Sequence, residues 1–379
     1  MSLMETPRFA DDNRLTLGRR ILRQLHIDLP LLLSLLLLVG LGLFVLYSAA
    51  DQNPDKVMAQ GIRLGLAFAV MLAIAQFDPY TLRFWSPWLY ATGLLMLIAV
   101  LVIGEVGKGA QRWLDLGLFR FQPSEIMKLA VPMMVAWFLS EHGLPPSGRR
   151  LLMATIILLV PTLLVAKQPD LGTALLIASS GLFVLLLAGL RWRVVSGIVV
   201  ALAAAAPVVW NYLLHDYQRR RVLTFLNPEN DPLGAGYHII QSTIAIGSGG
   251  AYGKGWLNGT QSHLDFLPER STDFIFAVFS EEFGFLGALL LLTLYLMIIG
   301  RGLYIAFQAQ DTYSRLLAGS ITLTFFVYLF VNIGMVSGIL PVVGVPLPLI
   351  SYGGTSMVTL MAGFGMLMSI HTHRKLIAT

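Results

Sequence analysis

Apolar runs of close to twenty residues recur along the whole chain and are separated by short polar segments. An α-helix needs about 20 apolar residues to cross the roughly 30 Å hydrocarbon core of a membrane. A helix also satisfies its own backbone polar groups in lipid, and the alternating pattern of a membrane β-barrel is absent from the sequence. The runs therefore predict ten transmembrane helices, at residues 29–48, 60–77, 83–103, 122–140, 151–167, 173–189, 193–214, 273–300, 315–337 and 355–370.

Composition supports an all-α polytopic membrane protein with a single membrane domain over residues 1–379. The chain is 56% hydrophobic and only 12% charged, and its mean hydropathy is +0.73. A soluble domain of this composition would expose large apolar patches. Cysteine is absent from the sequence, which excludes a disulfide framework, a thiolate nucleophile and a cysteine-based metal site.

The distribution of Arg and Lys predicts the orientation in the membrane. An even number of spans puts both termini on one side, and basic residues are concentrated in the termini and the even-numbered loops, so both ends should be cytoplasmic. Residues 14–26 interleave four Arg with Leu and Ile, which predicts an interfacial amphipathic helix. A signal peptide is the alternative for the first span, but its apolar run exceeds the roughly 7–15 residues of a signal sequence. Since the net charge of +5 is spread among loops, we expect no nucleic-acid partner.

Four segments should lie on the extracytoplasmic face: residues 104–121, 168–172, 215–272 and 338–354. The third is a large loop between the seventh and eighth helices. Within it, residues 238–246 have helical spacing and predict a short helix parallel to the membrane. Lys and Arg also occur in these outer segments, against the topological bias, so we expect a function there to use them.

Asp273 ends a charged loop and directly precedes an apolar run that begins at Phe274. One interpretation is a helix N-cap, alone or together with Thr272. The other is a general base, near water and beside the place where a lipid-anchored hydroxyl would arrive. Both roles are compatible, although a cap lowers the pKa of a carboxylate and weakens it as a base.

A second group of charges lies at the start of a span. Pro123 and Ser124 predict the helix start, which places Glu125 and Lys128 three residues apart in its first turns. Charges at membrane depth are costly, so they normally pair or serve a site. Two interpretations stay open: a structural ion pair that holds two helices together, or a polar floor for an anionic headgroup.

Other outer residues also offer binding chemistry. Lys108 and Arg112 suit phosphates, and Trp113 suits either a sugar face or the interfacial aromatic belt. Asp170 precedes a helix and would cap it, but its closeness to Lys167 leaves a role on the outer face open.

The segment 338–354 contains three prolines, including Pro346, which exclude a continuous helix. Its side chains are nevertheless almost wholly apolar, so we expect it to fold back into the protein at membrane depth. It is either an apolar wall for an isoprenoid chain or a buried structural loop.

The assembled motifs resemble the SEDS family of shape, elongation, division and sporulation proteins, and within it the elongation-specific members. The resemblance covers nearly the whole chain. Its motifs are residues 108–115, 122–125, 168–173, 234–242, 253–256, 267–269 and 272–274, and the signature from Asn332 through Gly338, Pro341 and Gly344 to residues 351–356.

The resemblance implies a ten-helix peptidoglycan glycosyltransferase that polymerises lipid II during cell elongation, on the outer face of the bacterial cytoplasmic (inner) membrane. It implies that Asp273 is the catalytic base. The expected partners are lipid II with the growing glycan strand, a class B penicillin-binding protein transpeptidase and other membrane proteins of the elongation complex. The candidate substrate-binding residues are Lys108, Arg112, Trp113, Gln122, Glu125, Lys128, Asp170, Pro346 and Ser351.

The chemistry of such a transfer suits these residues. A GlcNAc 4-hydroxyl attacks C1 of a MurNAc whose leaving group is undecaprenyl diphosphate, and a carboxylate takes the hydroxyl proton, as in inverting glycosidases. A divalent cation, Mg²⁺ or Mn²⁺, is expected to bind mainly through the diphosphate, and protein ligands for a metal are unknown. The alternatives are a lipid II flippase, which the scarcity of charges in the later spans disfavours, and a non-catalytic scaffold.

Overall fold

A computed structural model describes residues 25–107, 110–115, 120–141, 143–190, 192–208, 210–211, 216–230, 235–263, 267 and 269–374. The first helices are α1 (Leu29–Ala49), α2 (Pro54–Ala75), α3 (Pro79–Ile103), α4 (Pro123–Ser140), α5 (Gly148–Lys167), α6 (Leu171–Leu187) and α7 (Trp192–Val208). The later ones are α8 (Asp216–Leu226), α9 (Ala235–Ser248), α10 (Thr260–His263), α11 (Ile275–Phe307), α12 (Thr312–Val336) and α13 (Thr355–Thr372), with a 3₁₀ turn at Pro228–Asn230.

Each of the ten predicted spans coincides with a helix, from α1 to α7 and from α11 to α13. In the described part of the chain, six helices are long and apolar enough to cross a membrane: α1, α2, α3, α5, α11 and α12. The short helix predicted at residues 238–246 is confirmed as α9. Most of the predicted interfacial segment 14–26, and parts of the predicted loop 215–272, lie outside the described residues.

Polar caps explain why α2 and α3 begin earlier than the hydropathy pattern predicts. The side chains of Asn53 and Asp78 accept hydrogen bonds from backbone N–H groups of the first turn, and Pro54 and Pro79 follow directly. A proline at the first helical position loses no hydrogen bond and has a helical φ already. The helices therefore extend beyond their apolar runs, to Pro54 rather than residue 60 and to Pro79 rather than residue 83.

A small antiparallel sheet, which the all-α prediction did not include, follows α3. Its strands β1 (Glu105–Gly107), β2 (Ala110–Asp115) and β3 (Arg120–Phe121) lie in the order β1-β2-β3. Strand β2 packs against α3 and α4. The strand thus connects the described part of this segment to both helices.

Asp28 connects three helices at the end of the molecule where residues 25 and 374 lie. Its buried carboxylate accepts from Arg301 of α11 at 3.0 and 2.6 Å and lies 2.7 Å from His371 Nδ1 of α13. Burial alone would raise the pKa of Asp28, but hydrogen bonds from His371, Arg301 and the Leu31 N–H outweigh it and hold that pKa well below its usual range. The carboxylate therefore binds the start of α1 to α11 and α13.

Helix α11 is kinked at Gly284, where φ is +65°. The loop 249–255 hydrogen-bonds to the helix at this kink: Lys254 and Gly255 donate to the carbonyls of residues 281 and 282, and residues 285 and 286 donate to the carbonyls of residues 250 and 251. A Cβ on Gly253 would lie 2.1 Å from the Glu282 carbonyl oxygen. Glycine is required for this approach, and the loop satisfies backbone groups that the kink exposes.

Candidate functional site

Asp273 lies in a turn immediately before α11. The helix N-cap is Phe274, which makes no side-chain capping bond, so the N-cap position that the sequence suggested for Asp273 belongs to its neighbour. The Asp273 carboxylate is partly buried. A Cβ built on Gly344 would lie 3.5 Å from Asp273 Oδ2, which shows that the carboxylate faces the proline-rich segment.

Three hydrogen bonds hold the backbone of this turn. The carbonyl oxygens of residues 271, 272 and 273 accept, respectively, from the Tyr352 N–H at 2.8 Å, from Ser351 Oγ at 2.6 Å and from Asn332 Nδ2 at 2.9 Å. All three donors belong to the C-terminal signature. The turn that carries Asp273 is therefore attached to α12 and to the segment before α13.

Glu125 and Lys128 form a buried ion pair of 2.8 Å within the first turns of α4. Because both lie on one helix, the pair does not by itself join two helices. Lys128 Nζ does lie 5.4 Å from the ring centroid of Tyr328 on α12. Tyr328 is one helical turn from Asn332, so α12 connects the ion pair to the turn of Asp273.

A largely apolar cavity of about 600 Å³ lies between α2, α3, α4 and α13. Its charged lining residues are Arg63 and Glu125. Glu125 Oε2 has no hydrogen-bond partner within the described ranges. Arg63 stacks on the ring of Tyr352 at 4.6 Å. The cavity therefore combines an apolar interior with one cation and a carboxylate oxygen.

A third cluster joins the sheet to the start of α6. Arg112 Nη2 donates to the Pro169 carbonyl at 2.5 Å, and Arg112 Nε lies 3.8 Å from Asp170 Oδ2. Gln122 Nε2 donates to the same Asp170 oxygen at 3.0 Å. The other oxygen of Asp170 accepts from the Thr173 N–H at 3.2 Å, which confirms the predicted cap of α6. The structure thus brings together three residues that were expected to bind substrate.

Close packing connects this cluster to Asp273 through the proline-rich segment. A Cβ on Gly172, at the start of α6, would lie 2.9 Å from the Val343 carbonyl oxygen, and the next residue of that segment, Gly344, faces the Asp273 carboxylate. The start of α6 and the Asp273 carboxylate therefore lie beside adjacent residues of the same segment.

The segment 338–354 is non-helical up to residue 354, as its prolines predicted. Residues 347–351 are buried, and Tyr295 of α11 donates to the Pro348 carbonyl at 2.6 Å. Pro346 is partly buried. The large apolar cavity is lined instead by α2, α3, α4 and α13 with Gly354. Of the two interpretations of this segment, the structure favours a buried structural loop.

Other candidates have simpler positions. Trp113 is partly buried on β2, and Lys108 lies outside the described residues. The Ser351 hydroxyl donates to the Thr272 carbonyl and accepts from the Leu347 N–H at 2.8 Å.

Sequence reasoning missed Arg63, Gln60 and Glu281. Gln60 is buried, donates to the Ser351 carbonyl at 3.2 Å and accepts from the Gly353 N–H at 3.3 Å. The available signal was a polar or charged side chain inside an apolar run, which normally marks a pairing or a site.

The sequence is similar to a known protein family and to named relatives. Residues 28–376 match the model of the cell cycle protein family of FtsW, RodA and SpoVE. The chain belongs to this family. It is 56% identical over 355 residues to the peptidoglycan glycosyltransferase MrdB of Escherichia coli (strain K12), covering 94% of this chain and 96% of that protein. It is 33% identical to the peptidoglycan glycosyltransferase RodA of Treponema pallidum (strain Nichols), with 92% and 98% covered.

Two solved structures have the same fold as this chain. A chain from a peptidoglycan synthase complex that coordinates polymerization and crosslinking has 34% identity and a TM-score of 0.80, with 92% of this chain and 99% of that chain covered. The rod shape-determining protein RodA of Thermus thermophilus has 28% identity and a TM-score of 0.69, with 92% and 98% covered.

Proposed function

We propose that this chain is a peptidoglycan glycosyltransferase that polymerises lipid II, with Asp273 as the general base. The single observation that carries the assignment is the position of Asp273. Its carboxylate lies at the start of a membrane-length helix, is only partly buried and faces Gly344, which has no side chain to block access. Relatives named peptidoglycan glycosyltransferases, at 33% to 56% identity, support the same activity.

In the proposed step, the GlcNAc 4-oxygen of one lipid II attacks C1 of the MurNAc on another lipid-linked chain. The new O4–C1 bond forms as the bond between C1 and the diphosphate oxygen breaks, and the diphosphate leaves with the bonding electrons. The Asp273 carboxylate accepts the proton of the 4-hydroxyl. A positioned base of this kind contributes about 10²- to 10⁴-fold to the rate.

The cavity between α2, α3, α4 and α13 offers a place for the isoprenoid chain. Its apolar lining suits a polyprenyl tail, and Arg63 at its edge suits the diphosphate. This assignment replaces the proline-rich segment as the candidate wall. Among the described residues no group of three or more His, Cys, Asp or Glu side chains could hold a metal ion. We propose that Mg²⁺ or Mn²⁺ arrives with the diphosphate, whose charge it would neutralise.

The membrane arrangement that we propose is the one that the sequence predicts. We propose ten transmembrane helices, both termini in the cytoplasm, a large extracytoplasmic loop at residues 215–272 and the active site on the extracytoplasmic face. The similarity to a chain of a peptidoglycan synthase complex supports a class B penicillin-binding protein transpeptidase as the partner.

The proposal is tested with purified protein, alone and with its transpeptidase, incubated with lipid II and Mg²⁺ in detergent. Wild type should form glycan strands, and Asp273→Ala should form almost none while it remains folded. Asp55→Asn, which removes an exposed carboxylate in the first turn of α2, is the control and should retain activity. No strands from a folded wild-type complex would favour the flippase or the scaffold. Equal strands from Asp273→Ala would reject Asp273 as the base.

A further inference from the structure

The signature residues Asn332 and Ser351 hydrogen-bond to the backbone on both sides of the Asp273 Cα. Ser351 Oγ donates to the Thr272 carbonyl at 2.6 Å, and Asn332 Nδ2 donates to the Asp273 carbonyl at 2.9 Å. We propose that Asn332 and Ser351 are positioning residues that aim the Asp273 carboxylate. The inference rests on the proposed role of Asp273 as the base.

The geometry of the peptide group explains why two such bonds are enough. A peptide unit is planar, so for given positions of its two flanking Cα atoms the direction of its carbonyl sets the orientation of the whole plane. The Thr272 carbonyl belongs to the plane before the Asp273 Cα, and the Asp273 carbonyl belongs to the plane after it. Fixing both planes fixes φ and ψ of Asp273, and with them the direction in which its side chain leaves the backbone.

The hydrogen-bonding capacity of Ser351 is committed to this task. Its side chain is buried, with 4% relative exposure. A hydroxyl has one hydrogen to donate, and that hydrogen goes to the Thr272 carbonyl, while the oxygen accepts from the Leu347 N–H at 2.8 Å. The hydroxyl therefore has no hydrogen left to donate to a substrate. Its position in the signature is explained by the turn that it holds.

Asn332 is committed in the same way. It has no exposed surface. Both of its contacts within the described ranges are to carbonyls, that of Asp273 at 2.9 Å and that of Val345 at 2.8 Å, so the amide must present its two N–H groups to them. Val345 directly follows Gly344, which faces the Asp273 carboxylate. The Asn332 side chain thus positions both the backbone of Asp273 and the segment at Gly344 that its carboxylate faces.

Asp273 lies in the turn rather than in the helix, so contacts from other segments can determine the direction of its side chain. It lies before the N-cap of α11, outside the regular hydrogen bonding of the helix. A displacement of about 1 Å at a reacting group can cost about 10²-fold in rate. Without the two bonds, we expect the carboxylate to sample other directions while the substrate sites stay intact.

The test compares Ser351→Ala with Ser320→Ala, a matched control. Ser320 is also fully buried, and its Oγ donates to a carbonyl, that of Ser180, at the same distance of 2.6 Å but between α12 and α6. We expect Ser351→Ala to lower kcat for lipid II polymerisation about 10- to 100-fold with KM within about threefold. Ser320→Ala should leave both constants within about threefold.

Two further variants separate positioning from general loss of structure. Ser351→Thr keeps the hydroxyl and should recover most of kcat. Asn332→Ala, tested independently of Ser351, should also lower kcat more than it changes KM. In an Asp273→Ala background, adding Ser351→Ala should cause no further loss of rate, because the group that it positions is gone.

Each outcome has a distinct meaning. Unchanged kcat in well-folded Ser351→Ala and Asn332→Ala would overturn the positioning role, even if Asp273→Ala is inactive. Equal losses in Ser351→Ala and Ser320→Ala, or full additivity with Asp273→Ala, would also overturn it, since both indicate a structural effect. Full activity of Asp273→Ala would reject the proposed function itself.

Discussion

Removal of the Glu281 carboxylate should release the loop that follows α9. Glu281 has no exposed surface and accepts from Lys254 Nζ at 2.7 Å, from the Thr260 N–H at 2.9 Å and hydroxyl at 3.0 Å, and from the Gln261 N–H at 3.0 Å. Four donors, one from the loop after α9 and three from the start of the short helix α10, therefore converge on a single buried acid of α11. Glu281→Ala leaves all four without this acceptor.

The size of the effect can be worked from these contacts. A hydrogen bond to a charged group contributes about 1.5–3 kcal/mol, and breaking a buried ion pair costs about 3–5 kcal/mol. These values do not add, and the side chain of Lys254 is 27% exposed, so we take the lower end of about 3 kcal/mol for the released loop. Since about 1.4 kcal/mol corresponds to a factor of ten, the open population of the loop should rise about 150-fold.

Trypsin measures this opening directly, because Lys254 is itself a cleavage site. When opening is fast relative to cleavage, the rate of proteolysis follows the open population. In native detergent-solubilised protein, we expect cleavage after Lys254 in Glu281→Ala to be about 100-fold faster than in wild type. Cleavage after Arg149, which is exposed at the start of α5, serves as the internal reference and should not change.

A control variant is Glu229→Gln, which neutralises an exposed acid elsewhere between α7 and α11. It should leave cleavage after Lys254 at the wild-type rate. If Glu281→Ala is folded and its cleavage after Lys254 stays within about threefold of wild type, Glu281 does not hold the loop and the reasoning fails.

Two further predictions concern stability and access to the base. Asp28→Asn breaks a buried ion pair and should lower the free energy of unfolding by about 3 kcal/mol. The control is Asp78→Asn, at an exposed N-cap that has no such partners in the described chain. It should change the free energy of unfolding by about 0.5 kcal/mol or less. Because the folded-state pKa of Asp28 is lowered, its contribution is present above the unfolded pKa of about 3.9 and is lost as pH falls through the folded value, which pH-dependent unfolding would check. Gly344→Ala adds a methyl group 3.5 Å from Asp273 Oδ2, at a residue whose φ is +75°, and we expect turnover to fall about tenfold. The control is Gly353→Ala, where an added Cβ meets no atom within 4 Å, and this variant should retain activity.

The helices could be predicted from sequence because membrane insertion depends on local hydropathy. The seventh span is predicted to run to residue 214: α7 covers Trp192–Val208, residues 210 and 211 are also helical, and residues 209 and 212–214 lie outside the described ranges. The kink of α11 at Gly284 was not predicted, since it depends on contacts with loop 249–255. The sheet was missed because strands of two to six residues carry too short a pattern.

Some features of the candidate site could be predicted from the sequence and others could not. Asp273 could be selected because a carboxylate beside an apolar run is visible in the sequence. The cluster was partly visible: Gln122 and Asp170 directly precede helices, and Arg112 is a basic residue in the segment between α3 and α4. The contacts of Asn332 and Ser351 with the Asp273 turn were not, because they span 59 and 79 residues and end on main-chain carbonyls. A backbone acceptor is the same at every position and leaves no pattern to read.

The role of Asp273 as general base is best tested by measuring kcat at saturating lipid II for Asp273→Asn. This variant keeps the size of the side chain but removes the basic carboxylate. If Asp273 is the general base, kcat should fall about 10²- to 10⁴-fold, with KM within about threefold of wild type. A kcat within about threefold of wild type in a folded variant would contradict it.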